Sequence, residues 1–68
     1  MNDLILQNRQ TAKFLYKGAF HPIYELENGI KVCCVNNNGT YLHTITEDYE
    51  EPIAPLKEEY QPVGEVNE

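Results

Sequence analysis

The stretch Tyr24-Glu25-Leu26-Glu27-Asn28-Gly29-Ile30-Lys31-Val32-Cys33-Cys34 decides the fold. Asn28-Gly29 is a hairpin signal because both residues tolerate positive φ, and the side chains around it discriminate between two loops. A two-residue loop sets Glu27 opposite Ile30 and Glu25 opposite Val32, which mixes acid and aliphatic side chains on each face. A three-residue loop, Glu27-Asn28-Gly29 with Gly29 in the left-handed region as a bulge, pairs Leu26 with Ile30 and Tyr24 with Val32. Tyr24, Leu26, Ile30, Val32 and Cys34 then share one face, and Glu25 stands across from Lys31 on the other. A slip of one residue exchanges the faces completely, so the three-residue loop is expected.

Outward from this hairpin, strand-like composition covers residues 13–16, 23–27, 30–35 and 40–46, with Gly18, Asn28-Gly29 and Asn36-Asn37-Asn38-Gly39 between them. A two-residue loop at Asn38-Gly39 sets Val32 opposite Ile45, Cys34 opposite His43 and Asn36 opposite Tyr41, which adds Tyr41 and Ile45 to the apolar face. The opposite face gains Val35 across from Leu42 and Cys33 across from Thr44. It therefore needs cover from Leu4-Ile5-Leu6, from Phe14 and Tyr16, or from a second copy. Residues 1–11 fit a strand or one or two helical turns. The expected fold is mainly β: a small antiparallel β-meander or SH3-like barrel of three to four strands over residues 1–46. An acidic, proline-containing C-terminal tail over residues 47–68, partly disordered or docked, follows it.

Charge divides the chain at the same place. Of 68 residues, 5 are basic and 11 acidic, a net charge of −6. Residues 1–46 hold four bases (Arg9, Lys13, Lys17, Lys31) against three acids, whereas residues 47–68 hold one base, Lys57, against eight acids. Pro52, Pro55 and Pro62 also fall in the second part, and proline excludes a central strand. Tyr49, Ile53, Leu56, Tyr60 and Val63 recur among the acids, and Pro55 ahead of Leu56-Lys57-Glu58-Glu59-Tyr60 is suited to a single helical turn.

Several function classes are excluded or disfavoured on size and chemistry. Near 60 residues only about 60 % of the unfolded surface is buried, which leaves little room for an enzyme-sized cleft. Apolar runs such as Leu4-Ile5-Leu6 are far short of the roughly 20 residues of a membrane helix, and the N-terminus has no signal-peptide pattern. Adjacent Cys33 and Cys34 do not make a spaced disulfide framework, so a reducing, cytoplasmic setting is expected. Those cysteines with His43 and His21 are the nearest approach to a metal set, but Cys33 and Cys34 point to opposite faces and lack C-x₂-C spacing, so no metal or cofactor is expected. A Cys34–His43 nucleophilic pair has no orienting carboxylate, and no phosphate-cradling loop is present. Phe14, Tyr16 and Phe20 beside four bases suggest a stacking platform, yet the sequence pI of about 4.7 counts against direct nucleic-acid binding.

The surviving expectation is a small non-enzymatic protein-binding module. Asp48, Glu50, Glu51, Glu58 and Glu59 would be its charged contacts with a basic protein surface, and Tyr49 and Tyr60 its anchors. In size, charge and absence of catalytic motifs the chain resembles the small acidic proteins of bacteriophages and mobile elements. That resemblance implies an inhibitor that blocks a basic site, and it transfers no residues. The competing expectation is a homo-oligomeric structural or assembly protein that pairs through an edge strand, such as residues 40–46 or the N-terminal segment.

Overall fold

The computed structural model describes residues 2–66, so Glu68, one of the tail acids, lies outside the described residues. Seven strands follow one another: β1 (Leu4–Leu6), β2 (Thr11–Lys17), β3 (Pro22–Glu25), β4 (Lys31–Asn36), β5 (Thr40–Ile45), β6 (Pro52–Pro55) and β7 (Pro62–Glu65). A 3₁₀ turn, Glu58–Tyr60, joins β6 to β7. All pair antiparallel in one sheet of order β6-β5-β4-β3-β2-β1-β7.

The mainly β, antiparallel reading holds, and its details need correction. Among the described residues there are seven strands rather than three or four, and the sheet is open, with β6 and β7 at its ends rather than joined in a barrel. Both edge strands come from the acidic segment, which thus belongs to the sheet. The two segments anticipated as pairing edges are interior: β5 lies between β4 and β6, and β1 between β2 and β7.

The first hairpin has the expected loop. Tyr24 pairs with Val32 and Glu25 with Lys31; Leu26 N–H donates to Ile30 O and Gly29 N–H to Leu26 O, each at 2.9 Å. Gly29 has φ +89°, where a side chain would be strained. The second hairpin is shifted by one residue from expectation. Asn36 pairs with Thr40, Cys34 with Leu42, Cys33 with His43 and Val32 with Thr44, around a three-residue loop in which Asn38 and Gly39 take positive φ. The shift places Leu42 in the core, fully buried, and leaves Tyr41 exposed. Burying an aliphatic side chain there is worth roughly 1.5 to 3 kcal/mol, and the tyrosine keeps its hydroxyl in water.

Seven strands about 4.8 Å apart would make a flat layer about 29 Å wide and one strand thick. The molecule instead measures 30 × 26 × 23 Å, so the sheet is curled around its apolar face. A bulge between Phe14 and Tyr16 bends β2, letting it pair with β1 at one end and β3 along the rest. The enclosed core joins Leu4, Leu6 and Ala12 to Tyr24, Leu26, Val32, Cys34 and Leu42. Phe14 meets Tyr24 edge-on, with centroids 5.5 Å apart. On the opposite face Ile23 and Cys33 are also fully buried. Gly18 packs there so closely that an added Cβ would lie 2.7 Å from the His21 carbonyl oxygen and 3.0 Å from Ile23 Cγ1.

Gln61 ties β7 back to β5. Its Oε1 accepts from Leu42 N–H at 2.8 Å, and its Nε2 donates to the carbonyls of Leu42 (3.2 Å) and Leu56 (2.9 Å). Among the described residues no helix is long and apolar enough to cross a membrane.

Candidate protein-binding surface

The acids selected from sequence lie at the two ends of β6. Asp48, Tyr49, Glu50 and Glu51 form the turn that leads into it, and Glu58 and Glu59 stand on the 3₁₀ turn that follows it. The first turn is held internally: Thr46 N–H donates to Glu51 O (3.0 Å), Glu50 N–H to Thr46 O (3.1 Å) and Glu51 N–H to Thr46 Oγ1 (3.1 Å). Glu50 adopts φ +56°, and its carboxylate accepts from the Tyr16 hydroxyl on β2. This hydrogen bond, followed by desolvation and the Glu50 charge, pushes the Tyr16 phenol up. Lys31 Nζ lies 5.8 Å from the centroid of the same ring. The second turn is held against the loop between β1 and β2, where Asn8 N–H donates to Glu59 O and Gln7 N–H to Gln61 O, both at 2.9 Å.

The two acidic groups are separated by β6, about 13 Å of extended chain at roughly 3.3 Å per residue. Every residue of β6 is exposed, Ile53 at 63 %. Asp48, Glu51, Glu58 and Glu59 are exposed and Tyr49 is 69 % exposed, so these side chains face solvent from an ordered frame. Tyr60 differs from the other anchor: it is half-buried and packed against the core cluster.

Sequence reasoning missed the apolar part of this surface. Tyr41, Pro55, Leu56, Pro62 and Val63, with Glu58 at the rim, line an open hollow of about 520 Å³ between β5 and β7. A smaller hollow of about 230 Å³, lined by Thr40, Pro62, Val63, Gly64 and Glu65 among others, adjoins it. Tyr41 was assigned inward by the one-residue slip, whereas Val63 was visible as an apolar residue among acids.

The cysteine and histidine groups are arranged differently from expectation. Cys33, rather than Cys34, stands opposite His43. His43 Nδ1 is buried without a hydrogen-bond partner among the described residues. Burial pushes both thiols up, Cys33 further through the neighbouring Cys34, which keeps them in the neutral form near pH 7. Among the described residues no three His, Cys, Asp or Glu side chains are grouped to hold a metal ion. No protein-family model, curated protein or solved structure matches the chain.

Proposed function

We propose that this chain is a non-enzymatic protein-binding module that presents an acidic edge to a basic protein surface. One observation carries the reading: residues 47–59 hold six acids against a single base, Lys57, and hydrogen-bonded turns hold them on either side of a fully exposed strand. With its main chain held in place, this segment has little backbone freedom to lose on binding, and the summed field of its carboxylates raises the encounter rate with a cationic patch. Tyr49 and Ile53 supply exposed apolar area between and beside them. In its most specific form the module is an inhibitor that occupies a groove otherwise used by nucleic acid, in keeping with its resemblance to small acidic proteins of bacteriophages and mobile elements. A cytoplasmic setting and the absence of cofactors belong to the same proposal.

The test compares two full-length baits in lysate at low and moderate salt: the native chain, and one with Asp48→Asn and Glu50, Glu51, Glu58 and Glu59→Gln. A partner retained by the native chain, weakened by salt and lost by the amide variant supports the proposal. Equal capture by both baits would refute the acidic edge as the binding element. A competing reading, self-assembly through an edge strand, is left with β7, whose outer side is unpaired and whose Val63 is 66 % exposed. It requires a mass that rises with concentration.

A further inference from the structure

We infer that the hollow between β5 and β7 is a groove for an extended peptide segment carrying an apolar side chain flanked by basic ones. The inference rests on the acidic-edge reading and adds the chemistry of the partner. Tyr41, Leu56 and Val63 provide an apolar floor and wall, and Pro55 and Pro62 hold the chain on both sides at restricted φ. Carboxylates mark both ends, Glu58 beside the larger hollow and Glu65 beside the smaller. Among the described residues no basic side chain lines either one, so the complementary occupant is cationic.

The main chain argues for a peptide. Leu42 spends its N–H and C=O on Gln61 and Leu56, away from β4. In an antiparallel strand alternate residues face the same neighbour, so Thr40 turns its own N–H and C=O toward β7. Across the gap, Val66 N–H donates to Asp3 O. By the same alternation Gly64 faces β1, and Glu65 turns its main-chain groups outward. Among the described residues no main-chain bond joins Thr40 to Glu65, and the smaller hollow lies between them. An extended segment can therefore find backbone partners at this end and an apolar seat at the other, as in strand-type peptide recognition. From Pro62 to Glu65 is about 10 Å of strand, the length of three or four ligand residues.

The experiment titrates the full ¹⁵N-labelled chain with two capped peptides of equal charge, Lys-Leu-Lys-Leu-Lys and Lys-Gly-Lys-Gly-Lys. The leucine peptide is expected to bind roughly tenfold more tightly, the effect of one partly buried leucine, and to shift the amides of Thr40, Val63 and Glu65. Val63→Ser should abolish that advantage, and Glu58→Gln with Glu65→Gln should weaken both peptides. All three positions are exposed, so unchanged amide dispersion in the variants shows that the fold is kept. Equal binding of both peptides, with shifts confined to residues 47–51, would overturn the groove and leave the acidic edge standing. No response to either peptide at low salt would overturn both.

Discussion

Gln61 is a single side chain that replaces a stretch of strand pairing, since its amide accepts from Leu42 N–H, donates to the Leu56 carbonyl, and adds a second donor to the Leu42 carbonyl that Leu56 N–H already serves. Losing a hydrogen bond inside a partly buried site typically costs about 1 kcal/mol, more when a donor or acceptor is stranded. Gln61→Ala is therefore expected to lower stability by about 2 to 3 kcal/mol. Gln61→Glu should be worse at neutral pH, because an ionised carboxylate can accept from Leu42 N–H but offers nothing to the two carbonyls. Its penalty should shrink as pH falls toward about 4.3 and be gone below it, because the two carbonyls disfavour the ionised form in the fold and the protonated acid regains a donor. Urea unfolding at neutral and acid pH measures both variants, and a pH-independent cost for the glutamate would refute the role given to Nε2. The thiols make a second test at this scale. Cys33 and Cys34 have folded-state values above the ordinary 9.0 through burial. The folded chain thus holds protons that the unfolded chain releases, and stability is full below pH 9.0 and lost as pH rises through the folded values. The expected outcome is a urea midpoint that falls steadily on the alkaline side, with thiol reagents reacting near pH 7 only after unfolding. Rapid labelling of the native chain would refute it.

At the scale of elements, the hairpins differ in how far their residues specify them. Glu25 and Lys31 on one face and Tyr24, Leu26 and Val32 on the other leave a single register for the first. Asn36-Asn37-Asn38-Gly39 offers more than one loop, so the second register is set by which residue the core takes. The core takes Leu42, a choice that depends on Leu4, Leu6 and Leu56 packing from elsewhere in the chain. β1, β6 and β7 have three or four residues each, too few for alternation to be read. Their support comes from neighbours distant in sequence and from Gln61. Asp48, Glu51, Glu58, Glu59 and Tyr49 were legible as an exposed surface because charge is carried by composition, whereas Glu50 is half-buried with its carboxylate on the Tyr16 hydroxyl. The groove was not legible, because it exists only where β5 and β7 meet. The prolines of β6 have a reading of their own. Leu56 N–H and Glu51 C=O both bond toward β5, so the adjacent Pro55 and Pro52 occupy positions whose N–H groups would face outward. Proline removes the donors that would template another strand. Replacing both with valine should produce concentration-dependent association by sedimentation, whereas the native β6 edge stays inert. A double variant that remains monomeric would show that the prolines do not guard this edge.

At the scale of the whole molecule, fold and function depend on the same residues. β7 covers the outer side of β1, and Leu56 and Tyr60 pack on the core, so the segment that carries the acids also completes the structure. A chain ending at Thr46 loses β6, β7 and Gln61 together and strips β1, with Leu4 and Leu6, of its β7 neighbour. With a core this small, such a chain is expected to be unfolded, seen as collapsed amide dispersion and no cooperative thermal transition. The five-amide variant of the full chain should behave in the opposite way. It keeps every strand, and it relieves repulsion among carboxylates crowded at the ends of β6, so its midpoint at low salt should equal or exceed that of the native chain. Added salt should raise the native midpoint more than the variant's, because screening acts only on charges that are present. A native midpoint that falls with salt would mean that the acids stabilise the fold through attractive pairs. The clustered charge is then a structural feature, and its placement on an exposed edge no longer argues for a partner.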